Sequence, residues 1–249
     1  MTQQETYLRA PSIEAVLDIR VRLPPDVPIE SLEQVQAEEI KNYPVVRRPF
    51  QVAFKVTRPD GVVEPTTETS HAMNGYMFVS EDGLQIFQSR PDGFSHNRLA
   101  PYLGWEPFHT EARRLWNVYK TVARPEAIEM LGLNYVNKID LPAGEISDYL
   151  KTYIQIPPEL PQSLEAHNLL AQMADEKSGA KIVISEAFGA VGNDDTYTMM
   201  LNIQTFRHIN KPVSSFSEDE IWDTFATLRT LKNLAFESTI TDKVRERFR

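Results

Sequence analysis

The chain has 249 residues, 41% hydrophobic and 24% charged, with 26 basic and 35 acidic side chains for a net charge of −9. It has no cysteine, which excludes disulfides, thiolate nucleophiles and zinc–cysteine sites. Its 10 glycines never fall at the spacings of the dinucleotide or phosphate-binding loops, and no apolar run approaches the roughly 20 residues of a membrane helix.

The elements follow from hydrophobic periodicity. Residues 15–23 alternate, with Ala15, Leu17, Ile19, Val21 and Leu23 on one face and Asp18, Arg20 and Arg22 on the other, which predicts a half-buried strand ended by Pro24-Pro25. Residues 29–42 carry Ile29, Leu32, Val35 and Ile40 at near-helical spacing and predict a helix. Residues 50–56 alternate through Phe50, Val52, Phe54 and Val56, with a turn signal at Asp60-Gly61. Residues 76–79 and 84–88 predict two strands joined at Glu81-Asp82-Gly83. Residues 105–122 form the strongest helical pattern, through Phe108, Ala112, Leu115, Trp116 and Tyr119, stopped by Arg124-Pro125.

The second half follows the same order. Residues 128–141 predict a long strand with Leu131, Leu133, Tyr135, Ile139 and Leu141 on one face. A short helix over 145–152 and a proline-rich extended loop over 156–161 follow. Residues 166–175 and 180–188 predict a hairpin, residues 197–203 a further strand, and residues 218–236 a closing helix with Ser217 as N-cap and three acids in its first turn. The whole reads β-α-β-β-β-α twice, in units 1–125 and 126–249. The expected fold is therefore α+β: duplicated units forming one antiparallel-rich curved sheet with helices on one face, an order that resembles the saddle of TATA-binding-protein-like domains.

Three segments carry a further resemblance. They are Pro11-Ser12-Ile13-Glu14-Ala15-Val16-Leu17-Asp18-Ile19-Arg20, then Tyr102-Leu103-Gly104-Trp105-Glu106-Pro107-Phe108, then Leu131-Gly132-Leu133-Asn134-Tyr135-Val136-Asn137. Together they resemble a sporadically distributed bacterial family of about 250-residue proteins with no assigned function, and the likeness spans the chain. The family pattern has arginine where this chain has Asn134, and it supplies no catalytic residues. Its scattered distribution implies an accessory role in defence or toxin–antitoxin loci.

Candidate sites weigh as follows. Tyr102 and Trp105 flank Gly104, either as a tight turn with an apolar staple or as an aromatic platform for a ligand; the burial of large aromatics favours the turn. Asp18, Arg20, Arg22, Asn134, Lys138, Asp140, Asn202 and Gln204 fall on the polar faces of their strands. With helices on one side, these residues share the open side, as a solvated field of paired charges or as a recognition surface. Ser70-His71 and Ser95-His96 lack the context of a nucleophile, and Asp194-Asp195 lacks the spacing of a calcium loop. The five histidines never fall at metal-ligand spacing, so no cofactor or metal is expected.

The expectation is a cytoplasmic, non-enzymatic binding protein whose partner is another protein or a second copy, with no membrane contact. A hydrolase or nuclease-like defence enzyme is one alternative. A nucleic-acid-binding saddle is another, disfavoured by the charge of −9.

Overall fold

Strict alternation makes β1 (Ser12–Arg22) a strand whose every second residue from Ala15 to Val21 is buried. The computed structural model describes residue 7 and residues 9–57, 66–142, 146–162, 165–190 and 196–249, with the backbone alone for 50–57, 66–73, 189, 190 and 196. A 3-10 helix (Ile29–Gln34) and the short α1 (Val35–Glu39) follow β1. Then come β2 (Val45–Arg47), β3 (Phe50–Thr57), β4 (Thr66–Met73), β5 (Tyr76–Val79), β6 (Gln85–Arg90), β7 (Gly93–Leu99) and α2 (Trp105–Ala123). The second half contains β8 (Ala127–Pro142), a 3-10 turn (Ile146–Asp148), β9 (Ala166–Asp175), β10 (Ala180–Ala190), β11 (Thr196–Pro212), α3 (Glu218–Thr239) and α4 (Asp242–Arg245).

Nine strands form one sheet in the order β2-β5-β6-β7-β1-β8-β11-β10-β9, antiparallel throughout. The protein is thus α+β. The centre is the β1–β8 pair, with Leu17 opposite Leu133 and Ile19 opposite Leu131. Beyond β1 the sheet runs β7, β6, β5, β2, and beyond β8 it runs β11, β10, β9. At Gly93 the backbone has φ +152 and a Cβ would meet the Ile19 carbonyl oxygen at 2.3 Å, so only glycine lets β7 lie this close to β1.

One face of the sheet is covered by α2 and α3. Leu115, Trp116 and Tyr119 of α2, with Phe225 and Leu228 of α3, join Leu17, Ile19, Phe94, Leu131, Leu133 and Tyr135 in one apolar cluster. Each large side chain buried there contributes about 2 kcal/mol. The Thr205 hydroxyl donates to the Leu228 carbonyl at 3.1 Å, fastening α3 to β11. A second cluster packs Ile139, Leu141, Met199 and Leu201 against Phe236, Ile240 and Phe248. The cap predicted at Ser217 is a full capping box with Glu220. The left-handed Arg124 ends α2, its N–H donating to the Lys120 carbonyl, and Pro125 follows.

Three expectations are corrected. The helix over 29–42 is a 3-10 turn followed by five residues of α-helix. Glu39, the last residue of this helix, is buried and pairs with Arg114. The strand over 50–56 exists, but it pairs with β4 in a separate two-stranded sheet. Its place in the main sheet is taken by β7, whose residues 93–97 are all buried and show no polar–apolar alternation. The helix over 145–152 reduces to Ile146–Asp148, and Leu150 forms a bridge with Ile240. The turn at Asp60-Gly61, the paired acids Asp194-Asp195 and the side chains of Ser70 and His71 lie outside the described residues.

Candidate binding face

Burial of alternate residues on one side turns the others to the opposite, uncovered side. In β1 these are Val16, Asp18, Arg20 and Arg22; in β8 Asn134, Val136, Lys138 and Asp140; in β11 Thr198, Met200, Asn202 and Gln204. The register aligns them: Asp18 lies opposite Gly132, Val16 opposite Asn134, Asn134 opposite Gln204, and Asn202 opposite Val136. The eight polar residues expected on the open face therefore share one face of three neighbouring strands.

The two halves of this face differ. On the β1 side the polar groups are bound to one another. Asp18 accepts from Arg90 at 2.5 Å and from the Nε of Arg20 at 2.8 Å. Arg90 also donates to Asp92 at 3.1 Å and to the Ser95 hydroxyl at 3.2 Å, and Arg20 pairs with Asp92 as well. The chain continues from Ser95 to Asn97 at 3.3 Å and from Asn97 to Glu14 at 2.7 Å. Arg90 and Ser95 are buried in this network, which orders β6, β7 and β1 without adding much net stability. Arg22 with Glu129 at 3.6 Å and Lys138 with Asp140 at 3.8 Å are exposed pairs, each worth under about 1 kcal/mol.

On the β8–β11 side two amide oxygens lack a partner among the described residues. The Oδ1 atoms of Asn134 and Asn202 are buried and have no hydrogen-bond partner among the described residues. Half-buried Gln204 lies directly opposite Asn134, and Ser185 directly opposite Asn202. Val16, Val136 and Val183 sit across from these residues and frame an amide strip with apolar margins. A carboxamide offers two donors and an acceptor, and a buried one left without a partner costs about 1–3 kcal/mol.

Tyr102 and Trp105 lie on the helix-covered side, away from this face. Tyr102 meets the Tyr135 hydroxyl at 2.8 Å. Trp105 is 9% exposed, with His109 stacked 5.0 Å from its ring centroid and the Arg229 guanidinium 5.2 Å from it. The neighbouring Leu103, Gly104 and Pro107 border a cleft of about 750 Å³ together with Tyr43, Arg98, Glu111 and Arg114. Its wall is tied together from within: Tyr43 donates to Glu111 at 2.8 Å, and Arg114 bonds both Glu111 and the buried Glu39.

The histidines are spread over the molecule. His96 is fully buried and stacked on Phe108, and burial pushes its pKa down to about 4. His167 is stacked on Phe188, with Nε2 3.8 Å from the buried Glu186 carboxylate, which also accepts from Thr152. Burial lowers the pKa of His167 and raises that of Glu186. Among the described residues no histidine lines this cleft or a second one of about 430 Å³. Among the described residues no group of three or more His, Asp or Glu is placed to hold a metal, and no helix is long and apolar enough to cross a membrane.

Sequence reasoning missed Arg90 and Asn97 and weighed Ser95 only as a nucleophile beside His96, because nothing in their spacing ties Arg90 to Asp18 or Asn97 to Glu14, 72 and 83 positions away. It also missed Ser185 and the Glu186–His167 pair. Strand parity marks Ser185 for the open face and Glu186 for the buried face between Ile184 and Phe188, where a carboxylate is not expected. No protein-family model matches the chain, and no curated protein matches it either.

Proposed function

We propose that the protein is a non-enzymatic binding protein that recognises a protein partner through the uncovered sheet face. The observation that carries this reading is the strip of Asn134, Gln204 and Asn202, with two buried amide oxygens lacking partners among the described residues. An extended peptide presents the alternating donors and acceptors such a strip complements. The cations of the face favour a neutral partner over a phosphate backbone, since Arg20, Arg22, Arg90 and Lys138 are each paired with a carboxylate. We read the strand order as two related units, β5-β6-β7-β1 and β9-β10-β11-β8, meeting at the β1–β8 pair as a duplicated saddle.

The test compares wild type with Asn134→Leu/Gln204→Leu as bait in extracts of the native host, with every captured protein re-examined as a purified pair. A stoichiometric partner bound by wild type and lost by the double variant, with unchanged circular dichroism, supports the reading. A partner that binds both equally, or a failure to reconstitute any pair, rejects the face as the binding site.

A further inference from the structure

The two edges of the sheet are built differently. The β2 edge is three residues long, ends in Arg47 and is flanked by Pro44 and by Arg48 and Pro49, the proline and charge that keep an edge from pairing. The β9 edge is ten residues long, Ala-His-Asn-Leu-Leu-Ala-Gln-Met-Ala-Asp, with no proline, no lysine and no arginine. Its one acid, Asp175, is turned back into the hairpin, where it accepts from the Ser178 N–H at 3.0 Å and the Ser178 hydroxyl at 2.5 Å. No strand among the described residues pairs its outer side. Leu170 is 74% exposed and Met173 43% exposed, the former on the open face and the latter on the helix side.

We infer that β9 pairs antiparallel with β9 of a second copy of this chain, extending the sheet across a two-fold axis at Leu170. The strand is complementary to itself in that register. Leu170 meets Leu170 of the partner subunit. Asn168 meets the partner's Gln172, His167 meets the partner's Met173, and Ala166 meets the partner's Ala174. Apolar faces apolar or imidazole, amide faces amide, and no charged side chain between 166 and 174 faces another. An axis perpendicular to the sheet keeps the open faces of both copies on one side, as an isologous contact requires. The pairing joins β9 edges and leaves the amide strip of β8 and β11 uncovered, so it goes beyond the partner-binding reading and stands or falls separately.

The experiment measures mass in solution by light scattering and sedimentation from about 1 to about 100 µM, the range that resolves a micromolar dimer. The expected result is a dimer of the wild-type chain and a monomer of Leu170→Lys, which places two ammonium groups on the axis, with unchanged circular dichroism and thermal transition. Because the chain has no cysteine, Leu170→Cys gives a second readout: a disulfide-linked dimer on mild oxidation, where Glu176→Cys in the turn gives none. A wild-type monomer over the whole range overturns the proposal, and so does a dimer that persists in Leu170→Lys.

Discussion

The hydroxyls of Tyr102 and Tyr135 lie 2.8 Å apart, joining the loop ahead of α2 to the long strand β8. Tyr135 is 2% exposed, and among the described residues its hydroxyl bonds Tyr102 alone. Tyr102→Phe is expected to cost about 1–2 kcal/mol, because it leaves a buried hydroxyl without a partner. Tyr102→Phe/Tyr135→Phe is expected to cost less than the two single changes added together. Urea unfolding of the four proteins measures the coupling, and strict additivity would show that the bond contributes nothing.

Glu39 is 2% exposed and is held by Arg114, which reaches across from α2 and binds Glu111 with the same guanidinium. Arg114→Met strands a buried carboxylate and is expected to cost about 2 kcal/mol. Its neighbour Arg113 reaches Asp219 at 3.5 Å and Glu218 at 3.9 Å, all exposed, so Arg113→Met is expected to change stability by under about 0.5 kcal/mol. Equal effects from the two substitutions would contradict the asymmetry.

Glu186 supplies a pH signature. Burial raises its pKa against the opposing Thr152 hydrogen bond, so the folded chain holds a proton that the unfolded chain has released. Stability from this group is therefore lost as pH rises from the ordinary carboxylate value through the raised one. Burial lowers the pKa of His167, so its penalty appears on acidification instead, and it is neutral at pH 8. Glu186→Gln keeps an acceptor for Thr152 and removes the charge. Its melting midpoint is expected to exceed that of wild type by about 2 °C near pH 8 and to match it near pH 4. A variant less stable than wild type at pH 8 would mean the carboxylate is stabilised in the fold.

Lys232 on α3 sits with its Nζ 4.0 Å from the centroid of the Tyr135 ring. Burial, helped by Arg229 and opposed by Glu237, pushes its pKa down to about 8. At pH 8 about half its amine is neutral, against a small fraction for an ordinary lysine. Limited acylation at pH 8, read by peptide mass spectrometry, is expected to mark Lys232 ahead of exposed lysines such as Lys138, and to lose that preference in urea. The same shift makes stability rise with pH from about 8 toward the ordinary lysine value, where the unfolded chain alone still binds the proton.

The legible parts of the fold are those with one covered face. β1, β8 and the β9–β10 hairpin alternate because water lies on one side and helices on the other. Ser217 and Glu220 announce α3 three residues apart. β7 carries no alternation because Gly93-Phe94-Ser95-His96-Asn97 is buried on both faces, with Ser95 and Asn97 bound to Arg90 and Glu14 of other strands and His96 stacked on Phe108. The spacing of Ile29, Leu32 and Val35 fits a 3-10 turn running into an α-helix as well as one continuous helix, so periodicity does not separate the two. For the candidate face, parity alone assigned Asp18, Asn134 and Gln204 to one side. Which of them are bound to neighbours and which remain uncommitted depends on β6 and β7, whose contribution no local pattern encodes.

The central position of β1 sets the timing of assembly. The first strand of the sheet pairs with β7 on one side and β8 on the other, as far along the chain as Asn137. A ribosome adding about 5–20 residues per second leaves both edges of β1 unsatisfied for several seconds at least. The sheet cannot be completed from the N-terminus outward: it closes around a strand that has been waiting for its neighbours. Nascent chains halted before residue 127 are therefore expected to be the aggregation-prone and chaperone-bound species, and pairing with β8 is the event that ends that exposure.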